Sequence, residues 1–323
     1  MRTLLLTLAA LALALALASA LPAFYRTLLV LIAIWALLAL SVDLLLGHTG
    51  LASLGHGAFF GLGGYVAGIL SVRQLLGGAW VLETLTAVCV VVLFAALLGL
   101  LVLRTRGAYF MMVTLAVAQI LWGAAQVSRP LTGGDDGLRG VLRPDVPLLS
   151  ALPGGNGYYY LVVVLAVLVF VAFRFVIRSP FGYALNGIRQ SETRMAALGY
   201  NVFLYKYLAF VLSAALAGFA GVLFVYYNQY IHPNALGILT SAQALLMPFV
   251  GGPGTLLGPA LGAFVVILVQ DTLAGLTERW QLPMGLFYIV VVLLMPRGIL
   301  WFAASLLRSG RWRVLRLAKP RLA

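Results

Sequence analysis

Side chains that could do chemistry are few and scattered in this chain of 323 residues. The histidines His48, His56 and His232 and the single cysteine, Cys89, form no cluster with the spacing of metal ligands. One cysteine also excludes an intrachain disulfide. No Ser-His-Asp set and no pair of carboxylates indicates an enzyme. We therefore expect no catalytic residue, no metal site and no cofactor.

A glycine-rich stretch, "FVGGPGTLLGPALGA" at 249–263, raises the possibility of a nucleotide site. It lacks the Lys-Ser/Thr pair that a phosphate-binding loop needs, and no strand precedes it. Glycines at 251, 252 and 254 instead give the backbone the freedom that a tight turn requires. The sequence predicts a turn between two membrane segments.

Acidic residues within the apolar segments are sparse. Asp43 and Asp271 lie late in predicted spans, and Glu83 and Glu278 lie near span ends. Charges inside membranes often mark ion routes. Because these are few and two lie near interfaces, the pattern disfavours an ion-coupled secondary carrier, although that alternative stays open.

The elements that carry these residues are membrane helices. The chain is 63% hydrophobic and 9% charged, against roughly 25% charged residues in soluble domains. Its apolar runs approach the length of about 20 residues that a helix needs to cross a bilayer. We predict an all-α polytopic membrane protein, one transmembrane domain over 1–323 with about ten helices. The predicted spans are 4–21, 24–46, 51–72, 80–103, 108–128, 157–177, 207–228, 238–250, 255–275 and 283–302.

Two of these segments are unusual. The first, 4–21, resembles a secretory signal that ends at Ala20, but its apolar run is long and we expect a retained helix. The eighth, 238–250, is short for a span and predicts a half-helix or a tilted, broken one. Such backbone is tolerated at membrane depth only where protein or a wet cavity covers it.

Lysine and arginine set the predicted orientation. With the N-terminus in the cytoplasm, fifteen basic residues face inward and six face outward, which fits the positive-inside rule. This bias explains the net charge of +13 without nucleic-acid binding. It predicts cytoplasmic termini, a periplasmic loop at 129–156 and a basic cytoplasmic tail at 303–323.

A polar stretch, "SPFGYALNGIRQSETRMAALGYN" at 179–201, lies in the predicted cytoplasmic loop 178–206. Ser179 can cap a helix that begins at Pro180. Continuing that helix would place Glu192 in its apolar face at a high cost, so the helix is expected to break near Gln190. Ser191 then caps a second short helix that ends at Gly199. This pair either docks a partner or merely connects two spans.

Small residues recur at helical spacing in two spans. Small side chains on one face let helix backbones approach closely in lipid. We therefore predict helix packing, not chemistry, at Gly57, Gly61, Gly64, Gly68, Ala214 and Gly218.

Several stretches together resemble the M-type permease subunit of bacterial branched-chain amino acid ABC importers. They are "GHTGLASLGHGAFFGLGGYVAG" (47–68), "RGAYFMMVTLAVAQI" (106–120), "LTGGDDGLRG" (131–140), "SPFGYALNGIRQSETRMAALGYNVFLYKYLAFVLSAALAGFAG" (179–221), "GGPGTLLGPALGA" (251–263) and "MPRGI" (295–299). The resemblance implies a multi-pass protein of the cell inner membrane. It also implies a second permease subunit, two ABC ATPase subunits that hydrolyse ATP and a periplasmic solute-binding protein as partners.

In that family the cytoplasmic helix pair couples the spans to the ATPase. The resemblance therefore assigns coupling to Arg189, Glu192, Arg194 and Gly199. The two arginines would pair with acidic groups on the ATPase, Glu192 would anchor the turn, and Gly199 would allow the chain to reverse. The implied cargo is leucine, isoleucine and valine. Urea or short amides are the alternative, because related permeases share nearly the same motifs.

Overall fold

The computed structural model describes residues 22–145, 157–295 and 298–302. Within these ranges the longer helices are α1 (Ala23–Asp43), α2 (His56–Val72), α3 (Trp80–Val102), α4 (Ala108–Val127), α6 (Gly157–Arg178), α9 (Val202–Asn228), α10 (Ile238–Gly251), α11 (Gly258–Leu276) and α12 (Gln281–Leu294). Short helices are α5 (Arg129–Thr132), α7 (Pro180–Gln190) and α8 (Glu192–Ala197). The predicted all-α, polytopic architecture is confirmed.

Six of the described helices are long and apolar enough to cross a membrane, and α2, α10 and α12 are shorter apolar helices. The first long helix consists of α1 and a π-helix, Leu44–Thr49, that continues it. The predicted first span, residues 146–156 of the predicted outer loop and the predicted basic tail lie outside the described residues. The number of about ten spans therefore stays a prediction.

The centre of the molecule is built from α1, α2 and α9. Helix α9 packs against α1, α2 and α3, while α1 also contacts α6 and α11. From Leu37 to Asp43 every side chain of α1 is buried. A helix that is apolar on all sides belongs in the interior of a bundle, and α1 occupies that position.

The end of α9 carries a small structure that the helix prediction did not include. Strand β1 (Leu138–Arg139) pairs antiparallel with β2 (Tyr230–Ile231). Arg139 lies over the Tyr230 ring, 5.6 Å from its centroid. This sheet ties the segment after α5 to the end of α9.

Three predicted helix boundaries differ from the structure. Helix α2 begins at His56 rather than at 51, because the Leu54 N–H is bound by the Thr114 hydroxyl at 3.2 Å. Helix α9 begins at Val202, since the Asn201 side chain accepts the Leu204 N–H at 3.1 Å. Helix α12 ends at Leu294, two residues before a proline that disfavours helical backbone in its predecessor, and helical backbone returns at 299–302.

Candidate functional site

Residues 179–201 form a bent pair of helices between α6 and α9, which we name the elbow. The Ser179 hydroxyl accepts the Gly182 N–H at 3.4 Å, and Pro180 occupies the first position of α7. The Ser191 hydroxyl accepts the Arg194 N–H at 3.3 Å and starts α8. Both predicted helices and both serine caps are therefore present. Capping hydroxyls satisfy backbone donors that a helix cannot pair internally.

One face of α7 is apolar and packs inward. Ala184, Leu185 and Ile188 are buried, and the Phe181 ring stacks on Tyr205 with centroids 5.7 Å apart. These four positions share one face of a helix of period 3.6. Through this apolar face the elbow packs against the ends of the membrane helices.

Glu192 forms an ion pair with Lys206, the elbow's second attachment to the bundle. The Lys206 side chain is 8% exposed and that of Glu192 is 38% exposed. A lysine this deeply buried requires a partner for its charge. The carboxylate therefore anchors the start of α8 to the first turns of α9.

Gly199 ends the elbow in left-handed backbone, with φ of +87°. The Tyr200 N–H donates to the Met195 carbonyl at 3.1 Å. This bond spans five residues, as in the glycine-terminated helix ends that reverse the chain. No atom of the described residues lies within 4 Å of the position that a Cβ would take. Gly199 is thus needed for its backbone conformation and not for space.

The contact of Arg189 with a separate ATPase stays a prediction: the residue is exposed, yet its guanidinium also reaches the bundle. Its Nη1 donates to the Gly47 carbonyl. Its aliphatic carbons lie beside Gly50, where an added Cβ would lie 3.3 Å from Arg189 Cγ. Arg189 therefore joins the elbow to the π-helix that ends the first span.

The opposite side of the elbow makes few contacts within the described chain. Arg194 is exposed, and Tyr183 and Leu198 are 69% and 73% exposed. We name these three residues the outer face. It combines a cation with two large apolar side chains, a mixture enriched at protein interfaces.

Beneath Arg189 two glycine-rich turns meet, at residues 43–50 and 251–254, and we name this region the inner junction. Asp43 Oδ1 accepts the Gly254 N–H at 2.7 Å. Asp43 Oδ2 lies 3.7 Å from His48 Nε2 and has no hydrogen bond to any described residue. Both side chains are almost fully buried.

The inner junction has no space for larger residues. A Cβ at Gly47 would meet the Asp43 carboxylate and the Gly254 nitrogen, and a Cβ at Gly254 would lie 2.9 Å from Arg189 Nη1. Gly254 also has φ of +75°. A Cβ on Gly298 would meet the backbone of Gly251 and Gly252, so the segment after α12 closes the junction from another side.

The glycines predicted to pack helices lie in close contacts of several kinds. Added Cβ atoms would meet Ser241 at Gly57, Leu236 at Gly61, Ile231 at Gly64 and Leu138 at Gly68. This glycine face of α2 is therefore covered mainly by the segments around β1 and β2 and the start of α10. Gly63, next to that face, instead approaches the Gly218 backbone of α9.

Ala214 is fully buried, and a Cβ at Gly218 would meet Val91 of α3. These two positions of α9 therefore face the interior of the bundle.

Two further sets of buried polar side chains form hydrogen bonds between helices. His56 Nε2 lies 2.8 Å from the Ser213 hydroxyl, which donates to the Ser41 carbonyl at 2.6 Å. The Tyr226 hydroxyl donates to Glu83 at 2.7 Å. No group of three or more His, Cys, Asp or Glu side chains in the described ranges could hold a metal. These bonds join helices to one another.

Sequence reasoning identified the elbow but not the inner junction. The two residues joined by the Asp43–Gly254 bond are 211 positions apart, and those joined by the Arg189–Gly47 bond are 142 apart. The turn at 251–254 was predicted from the sequence, whereas the turn at 43–50 was not. Nothing in their local pattern indicated that they meet.

Comparison with known proteins places these features in a family context. The family model described as "Branched-chain amino acid transport system / permease component" matches residues 24–295. The high-affinity branched-chain amino acid transport system permease protein LivM of Escherichia coli K12 is 29% identical over 294 residues, covering 83% of this chain and 68% of the relative. LivM of Salmonella typhimurium LT2 is 29% identical over 290 residues, with the same coverage of each chain.

A more distant relative is the probable ABC transporter permease protein y4mJ of Sinorhizobium fredii. It is 28% identical over 264 residues, covering 78% of this chain and 75% of the relative. No solved structure matches the chain.

Proposed function

The chain belongs to the family of branched-chain amino acid transport system permease components, and from this premise we propose that it is the membrane permease subunit of an ATP-driven ABC importer. Its cargo is leucine, isoleucine and valine, by analogy with the two LivM relatives. The observation that carries the proposal is the family match over 24–295, which includes both the elbow and the inner junction.

The finer part of the proposal concerns the elbow within the loop 178–206. We assign its outer face to a cleft on an ABC ATPase subunit. Arg194 supplies a charge for acidic groups there, and Tyr183 and Leu198 supply apolar area that is exposed in the isolated chain. Glu192 and Gly199 shape the elbow, and ATP is hydrolysed on the separate ATPase subunits.

The proposed assembly contains this chain, a second permease subunit, two ATPases and a periplasmic solute-binding protein. The excess of lysine and arginine on the elbow side supports cytoplasmic termini in the cell inner membrane. In that orientation residues 129–145 face the periplasm and the binding protein. Helices α3 and α4 expose large side chains, including Leu97 and Ile120, to lipid or to the second permease.

Reconstitution tests this function. The chain is placed in liposomes with its second permease, ATPases and binding protein, and uptake of labelled leucine and labelled urea is measured with and without ATP. We expect ATP-dependent leucine uptake and none from this chain alone, because it has no phosphate-binding loop of its own.

Two results would contradict the proposal in different ways. Uphill uptake by this polypeptide alone would indicate an ion-coupled carrier. ATP-dependent uptake of urea without uptake of leucine would retain the importer but overturn the cargo.

A further inference from the structure

The structure assigns a second role to the elbow: we propose that Arg189 and Asp43 are positioning residues that transmit elbow movement to the turn at 251–254. This inference rests on the proposed function, because the movement comes from the ATPase. It differs from a docking role, since neither residue would need to touch the ATPase.

The first step of the connection is the bond from Arg189 to the Gly47 carbonyl. Gly47 lies in the π-helix Leu44–Thr49. π-Helical turns are rare and occur frequently at functional sites. Because the Arg189 stem also lies beside Gly50, any displacement of α7 acts directly on this turn of the first span.

The second step is the bond from the Gly254 N–H to Asp43 Oδ1, at 2.7 Å. Gly254 belongs to the turn that joins α10 to α11. The π-helix and the turn also touch directly, since a Cβ at Gly254 would lie 2.8 Å from the Gly47 carbonyl oxygen. A shift of 44–49 is therefore passed to the inner ends of two further membrane helices.

The polar pairing of the inner junction is incomplete at the Asp43 carboxylate. Asp43 Oδ2 is buried without a hydrogen bond to any described residue, and His48 Nε2 lies 3.7 Å from it. Buried polar atoms normally have partners, and exceptions often mark strain or function. The Asp43 carboxylate, the His48 ring and the Arg189 guanidinium can exchange partners when the elbow moves.

The experiment measures movement of the turn in the assembled transporter. Leu257 is 48% exposed beside the turn, so Leu257→Cys in a Cys89→Ala background gives one thiol for a maleimide. Its labelling rate is compared in proteoliposomes without nucleotide and with ATP plus vanadate. We expect nucleotide to change the rate about threefold to tenfold, the range that coupling energies of networks allow.

Arg189→Met is expected to abolish this change while ATP hydrolysis persists, and leucine imported per ATP falls. Arg178→Met is the matched control, because it removes an exposed cation next to the elbow and should leave the change intact. If Arg189→Met does not insert, Arg189→Gln shortens the donor of the first bond, and Asp43→Leu removes the acceptor of the second.

The proposal is overturned if nucleotide leaves the labelling rate unaltered in the chain that keeps Arg189, or if Arg189→Met and Arg178→Met respond alike. Uptake separates this from the proposed function. If leucine is imported but nucleotide does not change the labelling rate, only the proposed role of Arg189 and Asp43 is refuted. If nucleotide changes the labelling rate but leucine is not imported, only the proposed cargo is refuted.

Discussion

The two arginines of the elbow are five residues apart and both exposed, but they make different contacts. Arg189 donates to the Gly47 carbonyl and its stem lies against Gly50, whereas the Arg194 side chain makes no hydrogen bond or ion pair with a described residue. Both look alike in the sequence, as cations on a short amphipathic segment. The difference shows that the charge of a residue in this loop does not by itself indicate a docking surface.

The same contrast separates all of the elbow's contacts into two sets. Inward contacts hold the elbow to the bundle through the apolar face of α7, the Glu192–Lys206 pair and Arg189. Outward groups are available to another protein. Changes on the inner side should therefore destabilise the isolated chain, and changes on the outer side should act only when the partner is present.

The largest effect is expected at the inner junction, from Gly47→Ala. The new methyl group would meet the Asp43 carboxylate and the Gly254 nitrogen, and neither can move without breaking their hydrogen bond. Overpacking of this kind costs about 1–3 kcal/mol, and the broken bond adds to it. Thermal unfolding of the purified chain in detergent should show a clearly lowered midpoint.

Gly123→Ala in α4 is the matched control, because no atom lies within 4 Å of its added Cβ. Alanine favours helix over glycine by up to about 1 kcal/mol, so the midpoint should stay or rise. If Gly47→Ala and Gly123→Ala lower the unfolding midpoint equally, the inner junction is not packed more tightly than the surroundings of Gly123.

The Glu192–Lys206 pair is expected to give the next effect. Glu192→Gln leaves the Lys206 ammonium buried without an opposite charge. We expect a loss of about 2 kcal/mol, below the roughly 3–5 kcal/mol of fully buried pairs, because Glu192 is 38% exposed. Chemical denaturation in mixed micelles measures the difference.

A double substitution makes this test specific. Glu192→Gln with Lys206→Met removes both charges and should recover most of the loss, because the main cost is the unpaired lysine. If the double variant is less stable than Glu192→Gln alone, the attraction between Glu192 and Lys206 itself stabilises the fold and does more than neutralise the buried lysine charge.

The sequence predicts the elbow well because its signals are local. Ser179 and Ser191 lie next to the helices that they cap, and the apolar face of α7 repeats within eight residues. The inward position of Arg189 is different, since it depends on Gly47, 142 residues away. A single sequence carries no sign of that proximity.

Helix boundaries also differ in whether a local sequence signal or a distant contact determines them. The start of α9 has a local signal, Asn201 before an apolar run. The predicted span at 207–228 did not take this signal into account. The late start of α2 has none, because the backbone at 51–55 is held by contacts such as the Leu54 bond to Thr114 of α4. Tertiary hydrogen bonds there replace helical ones, and hydrophobicity alone cannot show this.

Substitutions of Gly199 test whether the elbow depends on left-handed backbone at this position, and we expect them to change stability less. Gly199→Ala forces a side chain into left-handed backbone at φ of +87° and should cost about 1 kcal/mol. Gly199→Asn should cost less, since asparagine tolerates this conformation. Unfolding midpoints that fall in the order Gly, Asn, Ala would agree, and equal values for Asn and Ala would contradict the backbone argument.

The smallest effect on stability, and the sharpest test of the outer face, is expected from Arg194→Glu. Its side chain is exposed, so the isolated chain should change by less than about 0.5 kcal/mol. Co-purification with the ATPase subunit should nevertheless weaken, because a glutamate would repel the acidic groups that the arginine is proposed to meet.

Arg106→Glu makes the same charge reversal at another exposed position, on the side that we predict to be cytoplasmic, and should leave binding unaltered. If both reversals weaken binding equally, the ATPase senses net charge and Arg194 loses its assignment. If neither does, the two apolar side chains Tyr183 and Leu198 carry the contact, and the contrast between the two arginines would concern only the inner one.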